Sequence, residues 1–387
     1  MNPVQTILAY NRGRIPRLLA LKWSKLQESP FAFFRGTAPL FFADWARRSL
    51  PAAPAVWICG DAHAENLGSY KGGNRVPYFD LNDFDEACLA PAHWDLGRAL
   101  AGLNLLGPPG RARRFLAAYR ARLATGKPQH IEPEVARGIV ATLLTNVQQR
   151  RKKKFLASRL VRGKIRIKAG RTYALDAATE RRARRIFREW AGRQPQPGFY
   201  RIKDLCGRIA GNGSLGVERY VILVRGRKLP SLMDMKQAAP SAPQACLGLP
   251  QPRWENEAHR VATIQYFMQY VPMDRLGWTR TAPVAYVLRE LQPIEDRVDH
   301  GVLTAADFDD FVDQWAGLLA SAHLRSAGWN GSAPLQALMD YAGRLTGANA
   351  RRLLAAAGQA AIRQRRQFAA FRRHAAKRSG ARGFERT

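Results

Sequence analysis

Six residues, Gly211-Asn212-Gly213-Ser214-Leu215-Gly216, have the spacing G-x-G-x-x-G, and the run directly after them restricts the fold more than any other feature. In a dinucleotide-binding unit the third glycine opens a helix whose N-terminus meets a pyrophosphate. Here Gly216 opens Val217-Glu218-Arg219-Tyr220-Val221-Ile222-Leu223-Val224, a run rich in β-branched residues. Such a run reads as a strand, so the loop is expected at the tip of a β-hairpin. Gly211, Gly213 and Gly216, with Ser214 among them, would let backbone amides approach phosphate oxygens that a side chain would keep away. The next strand, Leu232 to Ala238, carries a lone Lys236 that would reach the same phosphates as a point charge. Residues 254–270 read as a helix beginning with Glu255 and Glu257, and an acid there would hold Lys236; Glu257 is preferred. The alternative is a glycine-rich hairpin with a solvated lysine.

A second feature lies far upstream. Gly60 to Ala87 packs Asp61, His63, Glu65, Asn66, Asp80, Asn82, Asp83, Asp85 and Glu86 into fewer than thirty residues of a chain whose net charge is +32. An apolar run, Ala53 to Cys59, leads into the first cluster, and Val76 to Phe79 leads into the second. Two short buried strands are expected, each delivering carboxylates at its end. Carboxylates and an amide so placed could hold a divalent cation and orient a nucleophile. The competing explanation is a pair of Asx-rich turns.

The basic balance favours polyanionic partners: nucleic acid, an anionic membrane surface or phosphorylated small molecules. A solvated basic surface from an Arg-rich composition is the plainer explanation. Arg150 to Arg171 holds eleven Lys or Arg and no acid; it is either a landing strip for an anion or a solvated helix face. Cys59, Cys88, Cys206 and Cys246 form no CxxC pair, which argues against zinc and suits a reducing cytoplasm. No apolar run approaches the ~18 residues of a membrane span, and the first residues lack the apolar core of a signal peptide.

In chain order, residues 1–50 read as helices broken by Pro16, Pro30 and Pro39. Ser29-Pro30-Phe31-Ala32-Phe33-Phe34-Arg35-Gly36 sets three Phe around Arg35, either a structural cation beneath the acidic stretch or a phosphate ligand. Asp95 begins a helix, and residues 110–160 continue as amphipathic helices. Val284 to Leu291 reads as a strand and Ala305 to Ala327 as a helix with Phe308, Phe311, Trp315, Leu318 and Leu319 on one face. The last dozen residues read as disordered.

Gly60-Asp61-Ala62-His63-Ala64-Glu65-Asn66 resembles the catalytic loop H-G-D-x-H-x-x-N of the aminoglycoside phosphotransferase branch of the protein-kinase-like superfamily. Asn82-Asp83-Phe84-Asp85-Glu86-Ala87 resembles its metal-binding segment, and Trp94-Asp95-Leu96-Gly97-Arg98 the helix after that segment. Most of the chain is also similar to an uncharacterised bacterial family marked by SPFAFFRG, GDxHxEN and DFDE motifs. The resemblance implies an α+β, two-lobe fold. It also implies that Asp61 accepts or orients a substrate hydroxyl, with His63 bracing the loop. Asn66 and Asp83 would bind Mg²⁺ on the ATP phosphates, with Asp85 and Arg35 in support. The 211–216 loop and Lys236 would hold those phosphates, and backbone near Arg289, Glu290 and Leu291 would meet the adenine. Two departures stand out. Cys59 replaces the leading His, and the glycine loop comes after the catalytic loop by about 150 residues instead of preceding it. Circular permutation accounts for the order. It puts a helical catalytic lobe at 1–197, a nucleotide-binding β lobe at 198–295, helices returning to the catalytic lobe at 296–375 and a disordered basic tail at 376–387.

The expected activity is ATP- and Mg²⁺-dependent phosphotransfer to an unidentified hydroxyl acceptor, for which the basic surface hints at an anion. One alternative is a non-catalytic kinase-like module that binds a nucleotide or polyanion; nucleic acid is not favoured, because aromatics do not interleave with the basic runs. The other is a metal-dependent phosphoesterase, weakened because a two-metal site needs further His ligands and the seven His are scattered.

Overall fold

The computed structural model describes residues 2–108, 110–280 and 284–380. Four short helices open the chain: α1 (Pro3–Tyr10), α2 (Pro16–Leu26), α3 (Pro30–Gly36) and α4 (Ala38–Trp45). The prolines that break the sequence pattern sit in the first turn of each helix, where a missing N–H costs nothing and the fixed φ is already helical. Ser29 caps α3 by accepting from the Ala32 N–H at 3.0 Å.

The acidic stretch is built on β1 (Ala55–Ile58), β2 (Leu67–Lys71), β3 (Pro77–Leu81) and β4 (Cys88–Pro91). β1 pairs antiparallel with β4, and β2 with β3. The two strands expected before the acidic clusters are thus β1 and β3, and they lie in different ladders. Next come α5 (His93–Leu106), α6 (Gly110–Ala124), α7 (Gly138–Gln148) and α8 (Lys152–Ala157). The basic run becomes α8 and a small hairpin, β5 (Leu160–Val161) with β6 (Lys164–Ile165). It is therefore not one helix face; Gly163, at φ 74°, makes the turn.

The chain continues through β7 (Thr172–Tyr173), α9 (Ala177–Gly192), β8 (Ile202–Arg208), β9 (Arg219–Val224), β10 (Ser231–Gln237), α10 (Glu257–Met268), β11 (Gly277–Trp278) and β12 (Tyr286–Leu291). These strands form an antiparallel sheet in the order β11-β12-β10-β9-β8-β7. Alternation assigns its faces. Tyr220, Ile222, Met233, Met235, Tyr286 and Leu288 pack against Ile186, Phe187 and Trp190 of α9. Arg219, Asp234, Lys236, Val287 and Arg289 point the other way, into a cavity. Both β7 and α9, which precede residue 198, belong to this sheet's packing.

The chain ends with α11 (Ala305–Arg325), α12 (Leu335–Arg344) and α13 (Gly347–Gly380). The apolar stripe expected on α11 is buried: Phe308, Phe311, Trp315, Leu318 and Leu319 join the largest core, with residues of β1, β3, β4, α5, α6 and α7. α13 lies along α5. The tail expected from residue 376 is helical through 380; residues 381–387 lie outside the described residues. Among the described residues no helix is long and apolar enough to cross a membrane.

Candidate active site

After β1 the chain must turn at once. Gly60 does so at φ 77°, and a Cβ there would lie 2.1 Å from the Glu86 carbonyl oxygen. The turn exposes Asp61 to a cavity of about 450 Å³. Arg98, fully buried in α5, holds the Asp61 Oδ1 through Nε and Nη2, both at 2.9 Å. The same guanidinium donates to the Phe34 carbonyl at 2.8 Å and lies 3.6 Å over the Phe34 ring. His63 Nε2 stands 3.3 Å from the other Asp61 oxygen. Burial alone would raise the Asp61 carboxyl, but His63 and Arg98 hold it well below the usual carboxylate range.

The brace that Cys59 cannot supply comes from Asp95. Fully buried on α5, it accepts from the backbone N–H groups of Cys59 and Gly60, each at 2.9 Å. His323 of α11 stands 3.2 Å away through Nε2, and its Nδ1 is 2.7 Å from the Tyr119 hydroxyl. A carboxylate, an imidazole and a phenol thus run from the loop after β1 into the core.

Asn66 joins the two acidic loops. Its amide donates to the carbonyls of Asp61 and Asp83, each at 2.9 Å, and its Oδ1 accepts the Asp83 N–H at 2.7 Å. With its amide used on backbone, one lone pair of the oxygen is left for a ligand. Asp83 is the open carboxylate, with its side chain 52% exposed to the cavity. Lys236 pairs with Asp85 and stands 3.4 Å from Asp83. Enclosure in the cleft works against ionisation of both acids. Lys236 nevertheless brings Asp83 below its ordinary value, while Asp83 adds to the rise of Asp85. Two neighbouring carboxylates are thereby pushed apart in acidity.

The glycine loop is the hairpin tip expected of it, joining antiparallel β8 and β9. Gly211, Gly213 and Ser214 line the cavity opposite the acidic loops. Among the described residues, none accepts a hydrogen bond from the amides of residues 211–214. The loop's carbonyls are taken up from behind. Arg14 donates to the Gly213 and Leu215 carbonyls at 2.7 and 2.9 Å, and the buried Lys22 donates to the Gly213 carbonyl at 2.6 Å.

Four expectations need correction. Gly216 does not line the cavity; at φ 94° it lets the loop close, and a Cβ there would come 2.8 Å from Arg14 Cβ. Glu257 does not hold Lys236, because it faces Arg260 of its own helix at 2.7 Å. The polarity is reversed: the helix supplies the cation, Arg260, which donates to the Asp85 carbonyl at 2.9 Å, and the acid partners of Lys236 come from the loop. Glu290 lies on the opposite face of β12 and pairs with Lys152 at 3.2 Å and Arg275 at 3.6 Å. Leu291 shares the face of Arg289 but lines a neighbouring cavity. Arg35 takes the structural role weighed for it, pairing with Glu65 at 2.8 Å, and it also borders the cavity.

Sequence reasoning missed Arg98, the bracing role of Asp95, and Asp234, which Arg219, Arg208 and Arg289 surround at 2.9, 2.7 and 3.6 Å. A signal for the first two existed. Asp95 and Arg98 are the only charges in an otherwise apolar helix, one turn apart, and charges in a buried helix need partners. Among the described residues, no group of three or more His, Cys, Asp or Glu side chains is arranged to hold a metal by itself.

Fold and site together define a mixed α+β protein whose glycine hairpin, lone lysine and acidic loops meet in one cavity. The chain belongs to a bacterial family: residues 14–374 match the family model described as an uncharacterized protein conserved in bacteria (DUF2252). No curated protein and no solved structure was found to match it.

Proposed function

We propose that this protein is an ATP- and Mg²⁺-dependent phosphotransferase of the kinase-like superfamily, with its two lobes in permuted order. One observation carries the proposal: the 211–214 hairpin, Lys236 and the 61–85 stretch, far apart in sequence, line one cavity. Its volume of about 450 Å³ suits a small-molecule ligand. The lobe boundary then falls before β7, since β7 and α9 pack with the sheet.

The residues fit a nucleotide and its metal. The hairpin offers unpaired amides of the kind that cradle phosphates. Mg²⁺ takes one or two carboxylates and fills its remaining positions with phosphate oxygens and water, and Asp83, with the Asn66 oxygen beside it, meets that need. Bound there, Mg²⁺ would supply charge neutralisation on the phosphates. The chain's own side chains do the rest. Lys236 presents a cation on the sheet side, and Arg98 and His63 hold the Asp61 carboxylate at the border of the cavity. With its acidity raised by Arg98 and His63, Asp61 is a weak proton acceptor and acts by orienting the acceptor hydroxyl.

That same pairing also favours a second reading, a nucleotide-binding module without turnover, because Asp61 is already satisfied by Arg98. Mg²⁺-dependent ATP binding and turnover, with products identified, separate the two. Asp61→Asn is expected to keep ATP binding and lose about 10²-fold in rate, the cost of a misplaced acceptor hydroxyl, whereas Lys236→Ala weakens binding. Full turnover in Asp61→Asn would sink the catalytic assignment; binding without turnover in the wild type would establish the second reading.

A further inference from the structure

A second cavity, of about 1230 Å³, opens beside the first and shares Arg208, Glu295 and Arg297 with it. Its floor continues the same sheet face through Val221, Leu232 and Leu291. Its outer wall is the basic segment around α8 and the β5–β6 hairpin. Nine Lys or Arg line it against one acid, Glu295, and that acid already faces Arg289 at 3.5 Å. Among the described residues, Arg151, Lys154, Arg166, Lys168 and Arg171 have no carboxylate within ion-pairing distance. Arg159 lies 3.8 Å over the Phe155 ring; burial, and then the charges of Arg208 and Arg171, lower its pKa. Like charges gathered in a concave wall focus a positive potential into it.

We propose that this cavity binds a compact, multiply phosphorylated small molecule. The apolar floor and the hairpin wall enclose a bounded space. Phe155, the one aromatic ring among the lining residues, is covered by Arg159 and offers no platform for a nucleobase, which single-stranded nucleic acid would need. The site stands whether or not the first cavity transfers phosphate. A ligand in it would lie against Arg208 and Arg297, which border both cavities.

Inorganic tripolyphosphate is the probe, titrated calorimetrically into the full chain without nucleotide or Mg²⁺. Four proteins are compared: wild type, Lys236→Ala, a triple variant with Lys154→Ala, Arg166→Ala and Lys168→Ala, and the combination of all four changes. The triple variant alters only exposed side chains, and an unchanged melting temperature verifies its fold. One saturable site is expected in the wild type and in Lys236→Ala, weakened at least about 30-fold by the triple change in either background, as the loss of several charge-assisted bonds implies. No saturable binding in the wild type overturns the proposal, as does undiminished binding in the triple variant. Loss of binding in Lys236→Ala alone would put the anion in the first cavity. An oligonucleotide that binds more tightly than tripolyphosphate, and depends on the same three residues, would give the groove to a polymer instead.

Discussion

Asp95→Asn tests how the site is held together, because the carboxylate supports the loop from below. The substitution keeps the shape of the side chain. A carboxylate accepts from both the Cys59 and Gly60 N–H groups, whereas an amide has one acceptor oxygen and must turn its NH₂ toward one of those donors. A hydrogen bond to a charged group contributes about 1.5–3 kcal/mol, and a buried donor left unsatisfied costs about 1–3 kcal/mol. The two estimates overlap in part, so the expected loss is about 2–4 kcal/mol. Hydrogen exchange read by mass spectrometry on peptides spanning 55–66 measures it locally. At about 1.4 kcal/mol per factor of ten, exchange of the Gly60 amide should accelerate roughly 30- to 800-fold. Peptides of α9, which packs in a separate core, should exchange as in the wild type. Acceleration of less than about fivefold at Gly60 would refute the brace and leave Asp95 as an ordinary buried partner of His323.

Gly60→Ala should cost at least about 3 kcal/mol, since strained φ and a clash with the Glu86 carbonyl act together; a wild-type melting temperature would contradict this. Glu65 is lowered to about 2: burial raises its pKa, but His300, Arg35 and Arg297 outweigh burial. Its pairing is therefore fully present above the ordinary carboxylate pKa and fades as pH falls from ~4.5 toward ~2. With allowance for solvent screening, Glu65→Gln should be destabilised by about 1–2 kcal/mol at pH 6 and converge on wild type near pH 2 in urea titrations; a difference that persists at pH 2 would point to lost packing instead. Lys236→Met leaves Asp83 and Asp85 without their shared cation. Asp85, already raised by burial and Asp83, should rise further, so the variant's stability should decline relative to wild type as pH increases from ~4 to ~7; a pH-independent difference would argue against the coupling.

Local pattern foretold the elements that local pattern controls. The strand after Gly216 forces a hairpin, and β8 and β9 pair as that requires; the apolar stripe of α11 finds its core. Long-range electrostatics was not readable. Nothing near Lys236 in sequence announces that its acids lie about 150 residues upstream, on a loop, so an acid on the next helix was the natural but mistaken partner. The same blindness hid the surroundings of Asp234, whose three arginines come from β8, β9 and β12 and meet only when the sheet forms. Glu290 and Leu291 were misplaced by a different cause. Strand alternation turns Glu290 away from the cavity, and which face of the strand meets the cavity is set by how β12 sits in the sheet, which the run Val284 to Leu291 does not itself reveal.

The acidic density that looks out of place in a chain of net charge +32 is resolved once the cavities are compared. Carboxylates of the first take their cations from other elements: Asp61 has Arg98, Glu65 has Arg35, Asp85 has Lys236 and Asp234 has Arg219. Eight acids and seven Lys or Arg line that cavity, so its wall is close to neutral and exerts little net pull on an anion. A triphosphate entering it meets carboxylates as often as cations, and in the proposed reading it binds well only with a divalent ion that reverses the contact with Asp83. In the second cavity Arg150, Arg208 and Arg297 are paired with Asp296, Asp234 and Glu65, but Arg151, Lys154, Arg166, Lys168 and Arg171 have no carboxylate partner among the described residues, and these draw a phosphorylated ligand without such help. Two adjoining sites on one sheet face should therefore differ in kind: anion binding to the first rises steeply with Mg²⁺, while tripolyphosphate binding to the second is unaffected by chelation of Mg²⁺ and weakens with added salt.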